Sequence, residues 1–496
     1  MKSSLYIYIL DLEEMKIKKK WIIINLETKS REFKAKVLLA KKLAEYNYGV
    51  ILINFRHLKE IKGLPKGLFL DRNILSVRKK VISEIKNKGF KFVCMDEEGL
   101  VYLNEEKYLR DRVPEETFEL VDKFFCWGKE QETIIKNRHP KFISKLAIVG
   151  NPRIDLLRNE YKQLSLDHFK KIEGLYKPYI LIVSNFTGVN MLNTPSNDEE
   201  RYKYHLDRQR KLKLVSTSQQ EQDFYNHYCY LNKLFNYFIK LPSKLAQHFP
   251  EYTIIVRPHP SEDHNIWKRA IKEIPNAKVI YEGALETWIK GSDLVINNSC
   301  TSSIESLIMN KNCVSYRPIK NEKYDQPLPN AVTKNVSTES EIIEIIENIK
   351  MKKNEPIFTD KQKEDFIAII KNHIFIDARR NSVDNMKDEI DKLDLSDQSF
   401  NRILYKMNNL NIIFKLKLFL AFILYMCNLA LTLNIKSCKK LISFYEHYKW
   451  NKAYEDHKSE RIEKREILEL LKEMDMDSSE KFKVTKMKQN TFIISK

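Results

Sequence analysis

The sequence predicts an α/β fold: two doubly wound units facing each other across a cleft, followed by a helical C-terminal tail. Three observations carry that expectation. Short runs of branched apolar residues recur along the chain and end abruptly in polar residues, as parallel strands buried on both faces do. Segments with helical spacing lie between them, so strands and helices alternate. The alternation stops at a connector bounded by Pro152 and Pro178 and then starts again. The expected bounds are 1–170 for the first unit, 171–395 for the second and 396–496 for the tail.

In the first unit, Trp21–Leu26 and Val50–Asn54 read as strands, and between them Ala35, Val37, Leu38, Leu39, Leu43 and Ala44 mark a helix over Phe33–Tyr46. Gly67–Leu70, a basic helix around Val77–Lys88 and Phe92–Met95 follow, and the last leads into Asp96-Glu97-Glu98-Gly99. Phe124–Gly128 and Leu146–Gly150 are two further strands. The second unit opens with the strand Tyr179–Val183. A polar stretch from about Thr187 to Gln222 reads as an insertion or lid loop, and Gln219–His248 as one helix. The strand ending in Arg257-Pro258-His259-Pro260 comes next, then a strand at Ala277–Tyr281, a short helix at Leu285–Lys290 and strands at Asp293–Asn297 and Cys313–Tyr316.

At 496 residues the chain exceeds one core, and 43% hydrophobic residues with 25 Phe and 24 Tyr exclude wholesale disorder. The net charge of +19 fits nucleic acid, an anionic membrane surface or anionic substrates. The charge is spread along the chain without an aromatic-basic RNA motif or a helix-turn-helix pattern, which argues against a nucleic-acid partner. Seven scattered cysteines without Cys-x-x-Cys spacing point to a reducing compartment, and the N-terminal stretch lacks the features of a signal peptide, so a cytoplasmic location is expected. In the tail, Leu418–Ile435 carries no charge but has a polar stripe, which fits a helix lying in a membrane interface or packed on the second domain better than a span. The last fifty residues read as a charged helix followed by a polar end.

Two strand tips carry the chemistry. His259, held between two prolines, stands on a stiff turn at the carboxyl edge of its sheet, where ligands of such sheets bind. From there it can act on a leaving phosphate oxygen as a hydrogen-bond donor or as a catalytic general acid, and Arg257 beside it can pair with one. At the other tip Thr301, Ser302, Ser303 and Glu305 open a helix and are candidates for binding a nucleotide phosphate. Ser302-x-x-Glu305 also fits a plain capping box. In the first unit, Asp96, Glu97 and Glu98 place three carboxylates behind one strand, where mutual repulsion should raise one pKa and suit it to general-base work. Neither a Walker nor a G-x-G-x-x-G pattern is present, so ATP and NAD are not indicated. The lone Asp475-Met476-Asp477 reads as solvated surface, and no metal or cofactor is expected.

Together these residues resemble the motif set of GT-B glycosyltransferases, enzymes of two Rossmann-like domains. The acidic turn before Gly99, the His-Pro motif at His259 and the Ser302-Ser303 pair are similar to those of bacterial transferases using CMP-activated sialic acid or Kdo. Leu26–Phe33, Val149–Asp155 and Arg257–Pro260 look most like the bacterial surface carbohydrate biosynthesis group. The likeness implies a glycosyltransferase of capsule or O-antigen type. Its donor would be a CMP-activated ketosugar, and its acceptor a glycan or lipid-linked glycan at the cytoplasmic face of the inner membrane, reached through the C-terminal tail. It implies that His259 and the Ser302-Ser303 pair contact the donor phosphate and that a base comes from Glu97 or Glu98, with Asp96 an extra acid that leaves the register open. A CDP-glycerol-type polyol-phosphate transferase is the alternative enzyme, and a basic nucleic-acid-binding protein the alternative outside enzymes.

Overall fold

The computed structural model describes residues 18–54, 61–161, 163–164, 166–212, 214–352, 356–377, 379–399, 462–474, 482–488 and 491–495. The expected α/β architecture is present as two mainly parallel sheets. The first unit runs β1 (Trp21–Asn25), α1 (Lys29–Glu45), β2 (Gly49–Ile53), β3 (Gly67–Asp71), α2 (Lys79–Asn87), β4 (Lys91–Cys94), α3 (Glu105–Arg112), α4 (Glu115–Phe118), β5 (Lys123–Cys126), α5 (Lys129–Arg138), β6 (Leu146–Ile148) and α6 (Pro152–Asp155). After α7 (Leu166–Tyr176), the second unit runs β7 (Tyr179–Val183), α8 (Asp198–Lys211), α9 (Ser218–Phe238), α10 (Leu241–His248), β8 (Thr253–Arg257), α11 (His264–Ala270) and β9 (Ala277–Val279). It continues through α12 (Leu285–Gly291), β10 (Leu294–Asn297), α13 (Ser302–Ile308), β11 (Cys313–Tyr316), α14 (Pro327–Ala331), β12 (Lys334–Val336) and α15 (Glu339–Met351). Helices α16 (Asp360–His373) and α17 (Ser382–Asp391) follow, then α18 (Lys464–Met474), β13 (Lys483–Lys488) and β14 (Thr491–Ser495).

The strands form where apolar runs can be buried on both faces: every residue of β1, β2, β3 and β7 is buried. Strand order is β13-β14-β2-β1-β3-β4-β5-β6 in one sheet and β12-β11-β10-β7-β8-β9 in the other. Each order reverses beside one strand, β1 in the first sheet and β7 in the second, and such a reversal leaves a crevice at the strands' carboxyl ends. A shared apolar cluster joins the units. It contains Leu100, Trp127 and Ile154 from the first, Ile304, Leu307 and Leu328 from the second, Ile370 of α16 and Ile374 just after that helix. Helix α17 then packs Val383, Met386 and Ile390 into the core of the first unit.

Four local readings change. The single helix expected over Gln219–His248 is two helices, because Pro242 enters at the first turn of α10. The polar insertion contains a helix, α8, whose start is capped by Asn197 accepting from the N–H groups of Glu199 and Glu200. The connector between the units contains α6 and α7. The polar end of the tail is a pair of strands: β14 pairs antiparallel with β2, with Phe492 opposite Leu52, and β13 pairs with β14. Leu418–Ile435 and Asp475–Asp477 lie outside the described residues, and among those described no helix is long and apolar enough to cross a membrane.

Candidate functional site

A cleft of about 720 Å³ opens between the carboxyl edges of the two sheets, within the range of small-molecule sites. Glu97, Glu98, Arg257, His259, Thr301 and Glu305 line it; Asp96, Ser302 and Ser303 do not. The two tips and the acidic turn singled out in the sequence therefore face one space, with Asp96, Ser302 and Ser303 turned elsewhere.

His259 is set by its own turn. Its Nδ1 accepts the Ser261 N–H at 3.1 Å, so the ring proton sits on Nε2. Beneath the turn lies Glu262, fully buried. Its carboxylate accepts from the Ser184 hydroxyl and the Phe186 N–H, at 2.9 and 3.0 Å, and from Asn190 and the Trp267 indole, at 3.0 and 2.9 Å. A fifth bond, 3.2 Å from the N–H of His259, ties the turn to this hub. Burial pushes the Glu262 carboxyl upward against the pull of these donors. Glu262 carried no signal of its own in the sequence, although an acid three residues after the histidine is within reach of the same turn.

Arg257 is spent on structure. Its guanidinium donates to the carbonyls of Glu282, at 2.8 Å, and Gly283. It also lies over the rings of Tyr281 and Trp288, with 4% of the residue exposed. It thus fixes the loop after β9, where Gly283 (φ +69°) leaves room for His168: a Cβ there would stand 2.1 Å from the imidazole. His168 comes from the connector, and nothing in the sequence marked it.

At the tip of β10, Ser299 takes a positive φ of 63° and donates to Asn330 at 2.7 Å. Asn298 accepts from the Asn185 N–H and donates to its carbonyl, both at 3.0 Å, which ties this tip to β7. Ser302 and Ser303 are fully buried; one meets the Cys300 thiol and the other Asn297. The capping box does not form: Thr301 makes no side-chain cap, and Glu305 accepts from Arg153 of the first unit at 2.9 Å. Burial pushes the Glu305 carboxyl up, Arg153 pulls against it, and the Glu286 charge adds to the rise.

The acidic turn divides into three roles. Asp96 is fully buried and both its oxygens are taken by Arg112. Glu97 pairs with Lys36 of α1 at 2.5 Å, both side chains 2% exposed. Burial pushes Glu97 up, but Lys36, Arg153 and Arg31 outweigh it and hold the carboxyl below its usual range. Mutual repulsion within the turn was expected to raise one pKa; the cationic surroundings reverse that for Glu97. Glu98 is the outward member, 56% exposed and bridged by Arg112 at 2.8 Å and Arg31 at 3.5 Å. Gly99 is required by close approach, since a Cβ there would meet the Gln131 amide at 2.2 Å.

Contacts across the cleft hold the units together. Ser30 and the Tyr281 hydroxyl share a hydrogen bond of 2.6 Å, and Lys34 pairs with Glu286 at 2.7 Å, besides Arg153 with Glu305. Helix α18 also reaches the cleft, with Glu466 paired to Lys29 at 2.7 Å and Glu469, Leu470 and Glu473 on the wall.

Among solved structures, the chain is similar to UDP-GlcNAc 2-epimerase from Methanocaldococcus jannaschii, at 14% identity over 71% of this chain and 99% of that one, TM-score 0.42. It is similar to the wall teichoic acid polymerase TagF at 11% identity over 76% and 90%, TM-score 0.45. UDP-GlcNAc 2-epimerase from Neisseria meningitidis bound to UDP-GlcNAc follows at 12% over 75% and 98%, TM-score 0.43. No protein-family model and no curated protein sequence matches the chain.

Proposed function

We propose that the protein is a glycosyltransferase of surface-glycan assembly that uses a nucleotide-activated sugar, with a CMP-activated ketosugar as the donor. The observation that carries this reading is the meeting of His259 and Glu98 in one inter-domain cleft of about 720 Å³. The donor lies along the carboxyl edge of the second sheet, its phosphate at the His259 turn and near the backbone of Ser299, Cys300 and Thr301. With Nδ1 occupied by Ser261, the imidazole acts as a hydrogen-bond donor through Nε2 rather than as a proton source. As the bond from the anomeric carbon to the phosphate oxygen breaks, its electron pair leaves with the nucleotide, and that donor stabilises the growing charge. The acceptor hydroxyl bonds to the same carbon and passes its proton to Glu98, the acid of the turn that is open to the cleft. Glu97, held ionised by Lys36, positions the turn.

The test is thermal stabilisation by CMP, CDP, UDP, GDP and ADP in turn. CMP giving the largest shift, lost in His259→Ala, supports the reading. Preference for CDP points to a polyol-phosphate transferase, and no response to any nucleotide overturns the assignment. Membrane attachment, placed here in the segment 401–461, is checked by replacing that segment with a Gly/Ser linker of equal length. Loss of co-sedimentation with phosphatidylglycerol vesicles is expected, and unchanged binding removes attachment from the proposal.

A further inference from the structure

A second cavity of about 280 Å³ adjoins the cleft and shares Arg31, Glu98, Thr187, His259 and Pro260 with it. The two spaces meet at the histidine. The far wall is built by His205 and Arg208 of α8, within the insertion, and by Phe224 of α9. Its volume falls just below the range of about 300–1,000 Å³ typical of drug-sized ligands, and suits one sugar- or polyol-sized unit.

The charges of this wall do not cancel. Arg31 is matched by Glu32 and Glu98, and Glu98 also meets Arg112. Arg208 has no carboxylate within ion-pairing distance among the described residues; its guanidinium donates only to the Met191 sulfur, at 3.1 Å. His205, 4% exposed and with no partner on Nε2, adds no charge: burial, with Arg208 and Arg201, pushes it down to about 4. Arg208 is solvent-exposed at the edge of this small cavity, and a guanidinium there with no carboxylate paired to it among the described residues favours an anion.

We propose that the side cavity is the acceptor subsite and that Arg208 selects an acceptor unit bearing a phosphate or carboxylate. The inference rests on the reading above, in which the main cleft holds the donor. It also accounts for the insertion, since α8 carries the residue that distinguishes charged from neutral acceptors. Glu98, shared by both spaces, faces the hydroxyl that reacts.

The test uses the full chain saturated with whichever nucleotide gives the largest thermal shift. The probes are glycerol 3-phosphate and glucuronate, with glycerol and glucose as uncharged counterparts, and binding is read by calorimetry or saturation-transfer NMR. At least one charged probe should bind about tenfold more tightly than its counterpart, the worth of one charge-assisted hydrogen bond. Which probe does so tells phosphate from carboxylate. Arg208→Ala should abolish the difference and Arg208→Lys keep most of it, with the nucleotide shift retained in both variants. Equal binding of charged and neutral probes, an unchanged preference in Arg208→Ala, or displacement of the nucleotide by a charged probe would overturn the proposal. Should no nucleotide bind, the donor reading fails, while the same probes on the unloaded protein and on Arg208→Ala still decide the cavity.

Discussion

The pair Lys36–Glu97 offers the sharpest test of how the acidic turn is held. The two groups lie 2.5 Å apart with 2% of each side chain exposed, so water cannot replace either partner. Lys36→Met keeps most of the buried stem but takes away the carboxylate's contact partner, leaving it only the more distant charges of Arg153 and Arg31. Removing one member of a buried pair costs about 3–5 kcal/mol. For a unit of this size that is a fall in Tm of roughly 6–20 °C. The double variant Lys36→Met/Glu97→Gln removes both charges and should recover much of the loss, giving a coupling energy of about 2–3 kcal/mol. Urea unfolding followed by circular dichroism, on wild type, both single variants and the double, closes the cycle. Strictly additive losses, or a loss below about 1 kcal/mol in Lys36→Met, would refute the view of the pair as one buried unit.

Three further outcomes are expected. Glu262→Ala orphans buried donors at Ser184, Asn190 and Trp267, each worth about 1–3 kcal/mol when left unpaired; it should lower Tm and weaken nucleotide binding by calorimetry, and a loss of Tm with unchanged affinity would separate Glu262 from the His259 turn. Asp155, whose carboxylate accepts from the Ser382 N–H at 2.7 Å, is pushed up to about 6, by burial first, against the pull of Ser382 and Arg158. Its folded pKa lies above the unfolded one, so stability is highest when the acid is protonated and falls by about 2–3 kcal/mol as pH rises from about 4 through 6. Asp155→Asn should flatten that slope in denaturation curves between pH 4 and 8. Finally, Lys34→Ala combined with Arg153→Ala removes two partly buried ion pairs across the cleft and should raise the radius of gyration in small-angle scattering; an unchanged radius would mean that the shared apolar cluster alone sets the inter-domain angle.

The strands were legible because a strand buried on both faces needs an uninterrupted apolar run, and Trp21–Asn25, Tyr179–Val183 and Leu294–Asn297 are such runs. Helix α8 was not, since its composition is mostly charged and only Arg201, His205 and Leu206 are buried; its local marks were at its ends, the capping Asn197 with three acids in the first turn and three basic residues in the last. Of the residues singled out for the site, the chain's local pattern put His259, Glu97, Glu98, Thr301 and Glu305 at the cleft because they follow strand tips. It could not show that Asp96 would be consumed by Arg112 or Arg257 by the Glu282 and Gly283 carbonyls, because the partners lie 16 to 26 residues away. Local pattern reports which edge a residue stands on; it does not report which neighbour claims it.

The pairing of β14 with β2 has a consequence for biosynthesis. Phe492 and Leu52 stand opposite each other across roughly 440 residues of chain, which a ribosome working at ~5–20 residues per second needs ~20–90 s to make. For that interval β2, all five of whose residues are buried in the finished protein, has an unpaired backbone rim that can recruit another chain. Nascent chains stalled before residue 491 therefore leave that rim open, and are expected to associate with one another more readily than the finished chain.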